Sequence, residues 1–521
     1  MEDSLVVAID QGTTSARAVV FNSYTLPVAA YQFELTQITP NPGWIEQDPK
    51  QLVEACRTCL MNVGHQLAAK NIPASRVKAI GIANQRETSV LWDRRTGEPV
   101  ANAIVWSDTR TEPLVEEMRK LPGADQVQDI CGLHLNAYFA ALKVRWLLDH
   151  NENARRVYNE GELCFGTVDS WLIYALSGGA THITDASNAS RSMLLNLKEM
   201  RYDERLIEFF GFEKLILPEI KPSSEVYGKY HAPGDDLHGT PISGCVGDQS
   251  SALVGHMGFN KGDAKNTYGT GCFLHYNTGE TPVFSKNGLL TTIAYQLPGQ
   301  PPTYALEGSV AVCGSAIKWL KNNLGMIETS EQVGDLIESV PNSAGVYFVT
   351  AFSGLFSPYW RADARGTIVG ITSYTNRAHI VRSAIEAVCF QTRAIFQLME
   401  YENEIQGGVS NMTRDRILSV DGGLTSSDVI MQLQADILGV NIVRPAMKEV
   451  TALGAGIMAG LAVGVWKDLA DVTMRHSLSE GSMSRFTPHS SAEQRRQGFH
   501  QWQRAVERAT GWIEAADAAV V

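Results

Sequence analysis

Residues 5–9, Leu-Val-Val-Ala-Ile, form an unbroken apolar run, and residues 18–21, Ala-Val-Val-Phe, form a second. Each predicts a buried strand. Between them lies Asp10-Gln11-Gly12-Thr13-Thr14-Ser15-Ala16-Arg17. Strand, polar turn, strand predicts a hairpin with its chemistry at the tip. A third strand is predicted over 28–35. Asp48-Pro49 marks a helix start, with Asp as N-cap and Pro in the first turn. Leu52, Val53, Cys56, Leu60 and Val63 share one face of that helix. Another buried strand, 77–83, runs into Asn84-Gln85-Arg86-Glu87-Thr88.

The pattern continues with a short strand over 103–106 and a helix over 140–150. Phe165-Gly166-Thr167-Val168-Asp169 is read as opening a helix at Ser170, and 184–191 as a polar loop of small residues. A strand from 242 ends in Gly244-Cys245-Val246-Gly247-Asp248-Gln249, with a helix from about Ser250. A second strand, Gly-Thr turn, strand unit spans 264–273. Its Gly269-Thr270-Gly271 echoes Gly12-Thr13-Thr14 and suggests duplicated domains that face each other. Strands follow over 289–295 and 303–310, a helix from Gly314, a strand over 346–349, an aromatic loop over 352–366 and a long helix over 377–401. The strand 417–420 ends in Asp421-Gly422-Gly423, and a helix covers 428–438. The uncharged, Gly- and Ala-rich stretch 452–466 is too short to span a membrane. It predicts a buried helix packed closely against a neighbour.

The length of 521 residues calls for two or more domains. Hydrophobic residues make up 44% and charged residues 19%, as in ordinary soluble globular proteins. A net charge of −12 argues against general binding to nucleic acid or anionic membranes. Eight cysteines in so long a chain do not make a disulfide scaffold. Cys56 and Cys59 form a lone C-x-x-C on a predicted helix, which points to packing rather than zinc or redox chemistry. No secretory or transit signature is visible at the acidic N-terminus, so the cytosol is the expected compartment.

Several residues carry candidate chemistry. Gly12 lets backbone approach a ligand closely. Thr13, Thr14 and Ser15 add hydroxyls, and consecutive N–H groups can cradle phosphate oxygens. Asp10, at the strand end, is placed to hold a hydrated cation. A solvated turn is the alternative. Arg86 and Glu87 lie just past a buried strand, where open α/β sheets bind ligands; an exposed salt bridge would look the same. Asp248 is an acid on a Gly-flanked strand end. The Gly422-Gly423 turn before a helix offers a place for a nucleoside with its α-phosphate. Neither a G-x-x-x-x-G-K-[ST] run nor a G-x-G-x-x-G run occurs.

With these segments in order along nearly the whole chain, the sequence resembles the glycerol kinases of the FGGY carbohydrate-kinase family. The resemblance is carried by residues 10–17, Pro42-Gly-Trp-Ile-Glu46, residues 84–88, Ala103-Ile-Val-Trp106, residues 165–169, Gly247-Asp-Gln249, residues 265–273 and Met431-Gln-Leu-Gln-Ala-Asp-Ile-Leu438. It implies an α/β fold of two actin-like, ribonuclease H-like ATPase domains, each a mixed sheet flanked by helices, with an interdomain cleft. The glycerol- and phosphate-binding half would span 1–258 and the nucleotide-binding half 259–521. It implies ATP-dependent phosphorylation of glycerol to glycerol 3-phosphate, serving glycerol catabolism and glycerolipid supply. Phosphate hairpins in both halves, which one nucleotide can satisfy together only if the halves approach, predict domain closure on binding. Thr13, Thr14, Ser15, Arg17, Thr270, Gly314, Lys318, Gly423 and Ser427 would meet ATP. Asp10 and Asp248 would hold Mg²⁺, and Asp248 would also be the general base that takes the hydroxyl proton. Arg86, Glu87, Tyr138, Asp248, Gln249 and Phe273 would hold glycerol, with Trp106 as an apolar wall. A homodimer or larger homo-oligomer is expected, without nucleic acid.

Three positions depart from the family pattern. Ser427 stands where Asn is frequent, Arg361 where many relatives carry an acid, and the loop 231–239 is acidic and lacks Arg. The last implies no inhibition by fructose 1,6-bisphosphate there, because a doubly phosphorylated ligand needs cationic donors. The overall wording leans toward fungal members. The alternatives are a kinase for another small polyol or ketose, and an actin-like protein that hydrolyses ATP only to change shape.

Overall fold

Two sheets with one shared topology organise the chain in this computed structural model, which describes residues 4–406, 416–479, 481 and 483–513. The first sheet has the strand order Ser224–Lys229, Pro241–Gly247, Val77–Asn84, Leu5–Gln11, Ser15–Asn22, Pro27–Glu34. Its middle three strands run parallel, and the hairpin partners and the far edge run antiparallel. The second sheet orders Leu290–Tyr295, Thr303–Val310, Cys272–Gly279, Ala264–Tyr268, Ile417–Asp421, Asn441–Arg444, Ser484–Phe486. Again a hairpin strand runs parallel to the two strands that follow it in the sheet, and the far edge turns antiparallel. The strand Leu290–Tyr295 is the addition. The echo between the two Gly-Thr turns is thus an echo of whole sheets.

Parallel strands end on one edge, so the topology gathers their C-terminal residues. Gln11 is in register with Asn84, and Asn84 with Gly247. Thr267 is in register with Asp421 in the other sheet. These are the segments that carry the candidate chemistry.

The helix Val450–Ala462 returns to the first sheet before the last strand of the second, Ser484–Phe486, is added. Its sequence, VTALGAGIMAGLA, is uncharged and rich in small side chains, as expected for a closely packed helix. A Cβ on Gly454 would collide with the Ser251 carbonyl, and one on Gly81 with the Ala455 carbonyl. Serines on the sheet side donate to helix carbonyls: Ser224 Oγ to Met458 O at 2.8 Å and Ser243 Oγ to Ala459 O at 3.0 Å.

The helix Pro49–Ala69 begins as expected, with the Asp48 carboxylate accepting the Lys50 N–H. Helices Ala140–His150 and Asp428–Leu438 also match. Four readings need correction. Residues 165–167 belong to a buried strand, Leu163–Thr167, and the helix starts at Val168. Residues 184–191 are no solvated loop: they form the end of strand Ile183–Asp185 and a short buried helix, Ala186–Ala189. Their polar side chains bond one another, which is how polar sequence survives in an interior. The strand at 103–106 is shorter, Ala103–Ile104. The helix after the 241–247 strand starts at Asp248 itself.

Arg361 forms an ion pair with Asp363, which also accepts the Gly511 N–H at 2.7 Å. All eight cysteines are buried and unpaired. Among the described residues no helix is long and apolar enough to cross a membrane.

Gly454→Ala forces a methyl into the Ser251 carbonyl and is expected to destabilise by about 1–3 kcal/mol, the usual cost of overpacking. Thermal melting checks this; an unchanged midpoint would mean the helix has room to withdraw.

Candidate active site

Arg86 and Glu87 follow the strand Val77–Asn84 and are almost fully buried, 3% and 1% exposed. The exposed salt bridge is therefore excluded. Glu87 has a φ of 61°, a left-handed conformation that costs a non-glycine residue on the order of 1–3 kcal/mol. Arg86 donates through Nη1 and Nη2 to Glu307, at 2.6 and 3.1 Å, and its Nε lies 3.2 Å from Asp248 Oδ1. Asp248 Oδ1 also accepts the Gln249 N–H at 2.7 Å. Its other oxygen has no partner among the described residues, and the side chain is 28% exposed. Burial raises the Asp248 carboxyl above the ordinary aspartate value, with Arg86 and then Lys265 opposing.

Three rings stand beside these groups. The Trp106 centroid is 5.5 Å from Tyr138 and 5.9 Å from Phe273, both edge-on. The Trp106 indole N–H donates to Thr13 Oγ1 at 2.9 Å. The apolar wall and the first Gly-Thr turn are thus one assembly. Buried Lys143 donates to the Ala137 and Tyr138 carbonyls at 2.9 and 2.6 Å and so fixes the loop that carries Tyr138. The turn itself is tight, with Gly12 N–H donating to Ser15 O. Gln47 and Gln85 donate to the Thr13 and Gly12 carbonyls. Turn carbonyls held on the protein side leave turn N–H groups for an anion.

The second turn is closed by Gly269 N–H donating to Gly271 O at 2.9 Å and is tied to the next helix by Gly314 N–H donating to Gly269 O at 3.0 Å. A side chain on Gly314 would meet that carbonyl at 2.7 Å. A cavity of about 800 Å³ runs past Arg17, Asp421, Gly422, Gly423, Thr425 and Glu449. Gly422 has a φ of 93° and lies against the Tyr268 backbone, so the turn needs glycine there. Arg17 lines this cavity but is paired with Glu449 and Gln32. Lys318 is exposed on the helix Gly314–Asn322. The Ser427 hydroxyl caps the helix Asp428–Leu438 by accepting the Ile430 N–H at 3.4 Å. These last three are not drawn together with the Gly-Thr turns by any hydrogen bond.

Asp10 sits between the two groups of residues. Burial first, then the neighbouring Asp248, pushes its carboxyl up from 3.8 to about 7, while Arg17 opposes. Two crowded carboxylates with too little positive charge around them fit a divalent cation. The buried trio Asp169, Asp185 and Cys245 has ligand atoms within 4.8 Å of one another. Its carboxylates already accept from Thr184, Ser187, Asn188 and Ser223, which suits a structural network rather than a metal.

Sequence reasoning missed the charges behind the site. Glu307 lies in strand Thr303–Val310, fully buried. Arg191, also fully buried, donates to Glu87 at 2.5 Å and to Glu307 at 3.1 Å. Lys265 donates to Gln249 Oε1 and, at 2.9 Å, to Thr267 Oγ1. Burial lowers its ammonium to about 8, with Asp421 and Asp248 opposing. Asp421 lies 2.7 Å from His256 Nε2. The available signal was a single charge inside an apolar strand, as in Thr-Tyr-Ala-Leu-Glu-Gly-Ser-Val.

The FGGY family of carbohydrate kinases matches this chain twice, its N-terminal domain over residues 5–255 and its C-terminal domain over residues 264–463. The glycerol kinase of Pseudarthrobacter chlorophenolicus is 46% identical, over 98% of both chains. The probable glycerol kinase of Dictyostelium discoideum is 43% identical, over 97% of this chain and 98% of its own. These two values do not separate bacterial from eukaryotic kin. The crystal structure of Plasmodium falciparum glycerol kinase with ADP superposes with a TM-score of 0.88 at 36% identity, covering 97% of this chain and 98% of that one. A xylulose kinase from Lactobacillus acidophilus shares the fold, with a TM-score of 0.81 at 20% identity.

Asp10 supplies a pH test. With its folded value near 7 against 3.8, the folded chain holds a proton that the unfolded chain releases near pH 4. Stability therefore falls as pH rises from about 4 to about 7, and above that the ionised carboxylate carries the full cost. Asp10→Asn is expected to raise the ligand-free melting temperature at pH 8 and to leave it nearly unchanged at pH 4. Equal shifts at both pH values would contradict this.

Proposed function

Because the chain belongs to the FGGY family of carbohydrate kinases, we propose that it transfers the γ-phosphoryl group of ATP to a terminal hydroxyl of glycerol, giving sn-glycerol 3-phosphate. The observation that carries this reading is the convergence of Arg86, Glu87 and Asp248 with the Trp106, Tyr138 and Phe273 rings beside the first Gly-Thr turn. A small triol has hydroxyls for paired donors and acceptors and a short carbon face for rings. The near-full-length similarity to glycerol kinases supports it.

In this reading Arg86, Glu87 and Gln249 bind the glycerol hydroxyls, and Trp106, Tyr138 and Phe273 cover its carbons. Asp248 accepts the proton of the attacking hydroxyl through the oxygen that no protein group occupies. Its raised carboxyl value brings it nearer to the basicity a general base needs. Thr13, Thr14, Ser15 and Thr270 hold phosphate oxygens by hydroxyl and N–H. Gly314 and Gly423 let backbone approach the nucleotide, while Lys318 and Ser427 flank it. Arg17 turns to phosphate by giving up Glu449. Mg²⁺, when bound at Asp10 and Asp248, supplies neutralisation of phosphate charge.

We place the glycerol- and phosphate-binding half at 1–258 and the nucleotide-binding half at 259–521. The two sheets support that division, with the helix Val450–Ala462 reaching back across it. Unpaired cysteines support a reducing compartment, the cytosol. Exposed Ile371 and Tyr374 are apolar surface for a second copy, in keeping with a homo-oligomer.

A coupled ADP-release assay over a polyol and ketose panel tests the substrate, with glycerol expected to give the highest kcat/KM. Higher efficiency on a pentulose would overturn the assignment. Asp248→Asn keeps the shape but cannot take the proton, and kcat is expected to fall by about 10²–10⁴-fold. Near-full kcat in that variant would remove Asp248 as the base.

A further inference from the structure

Glu307 does not touch the site's open face. It is a fully buried anion on strand Thr303–Val310 of the second sheet. Its carboxylate meets three groups. Arg86 donates twice, at 2.6 and 3.1 Å, Arg191 once at 3.1 Å, and His275 Nε2 lies 2.5 Å away. Arg86 belongs to the first sheet's edge, and Arg191 follows the short helix Ala186–Ala189. One carboxylate from one half therefore holds two guanidinium groups from the other. Arg191 in turn grips Glu87 at 2.5 Å, the residue with the left-handed backbone. Such a conformation persists where its surroundings over-determine it.

We propose that Glu307 is a positioning residue for the polyol site, setting Arg86 directly and Glu87 through Arg191. The inference rests on the glycerol reading above. Burial pulls the His275 imidazole down to about 3 despite Glu307, so it is neutral and donates from Nε2. Arg86 and Arg191 then balance Glu307 and Glu87, two cations against two anions. Arg86 meanwhile turns its Nε side toward Asp248. The guanidinium is aimed by two anions rather than one, which fixes its plane. A shorter or uncharged side chain at 307 would let that plane rotate, and Glu87 would lose the pull that maintains its backbone.

The test is steady-state kinetics of Glu307→Asp and Arg191→Lys, both of which retain the buried charge, with Glu307→Gln as the stronger change. Glycerol KM is expected to rise about tenfold to a hundredfold, the range set by charged hydrogen bonds, while ATP KM stays within about threefold. A merely structural role would lower the active fraction, reducing kcat and leaving both KM values alone. Folded Glu307→Asp and Arg191→Lys with unchanged glycerol KM would overturn the proposal. A wild-type enzyme that turns over another polyol but not glycerol would overturn the substrate reading instead. The same variants assayed with that polyol then decide Glu307 by the same KM split, since its contacts to Arg86 and Arg191 do not depend on which polyol binds.

Discussion

The contact between Glu307 and the pair Arg86 and Arg191 is the constraint on which the rest of the site depends. Three charges with almost no solvent exposure would be untenable singly, because removing an ion from water costs several kcal/mol even after relaxation. They persist because Glu307 meets both arginines at hydrogen-bond distance. The requirement is mutual. Glu307 draws both of its guanidinium partners from the other half, so the floor of the cleft is shared. The close approach of helix Val450–Ala462 to the first sheet adds an apolar tie to this ionic one.

The duplicated topology explains why the chemistry collects where it does. In each sheet, parallel strands end side by side, and their last residues carry the polar groups. Hairpin turns flank them on both sides of the cleft. In the proposed reading a ligand carrying several phosphates is held from two directions at once, and a small polyol lies against the Trp106, Tyr138 and Phe273 rings. Asp10 and Asp248 repel one another, and a divalent cation bound there would relieve that repulsion.

Much of this was legible in the sequence. Apolar runs fixed the central strands, because a strand buried on both faces has no other composition. Asp48-Pro49 marked its helix by capping chemistry alone. The Gly-Thr turns and Arg86-Glu87 could be singled out because polar residues directly after a buried strand have few structural reasons to be there. What stayed hidden depended on contacts between distant segments. Residues 184–191 look like a loop, since nothing local says that Ser223 and Thr184 will satisfy Asp185 and Asp169. Glu307 looks like an accident in a strand until two arginines more than a hundred residues away close on it. Strand Leu163–Thr167 was lost because Gly166 and Thr167 resemble a helix start. Ser427 shows itself as a cap only through its hydroxyl accepting the Ile430 N–H.

The central claim is that the chain makes a phosphate ester of glycerol rather than hydrolysing ATP. Phosphorus-31 NMR of a reaction holding the protein, glycerol, ATP and Mg²⁺ tests it most directly. A phosphomonoester signal at a primary carbon of glycerol, growing in step with ADP, is the predicted result. ADP and inorganic phosphate appearing without that ester, at a rate indifferent to glycerol, would contradict it.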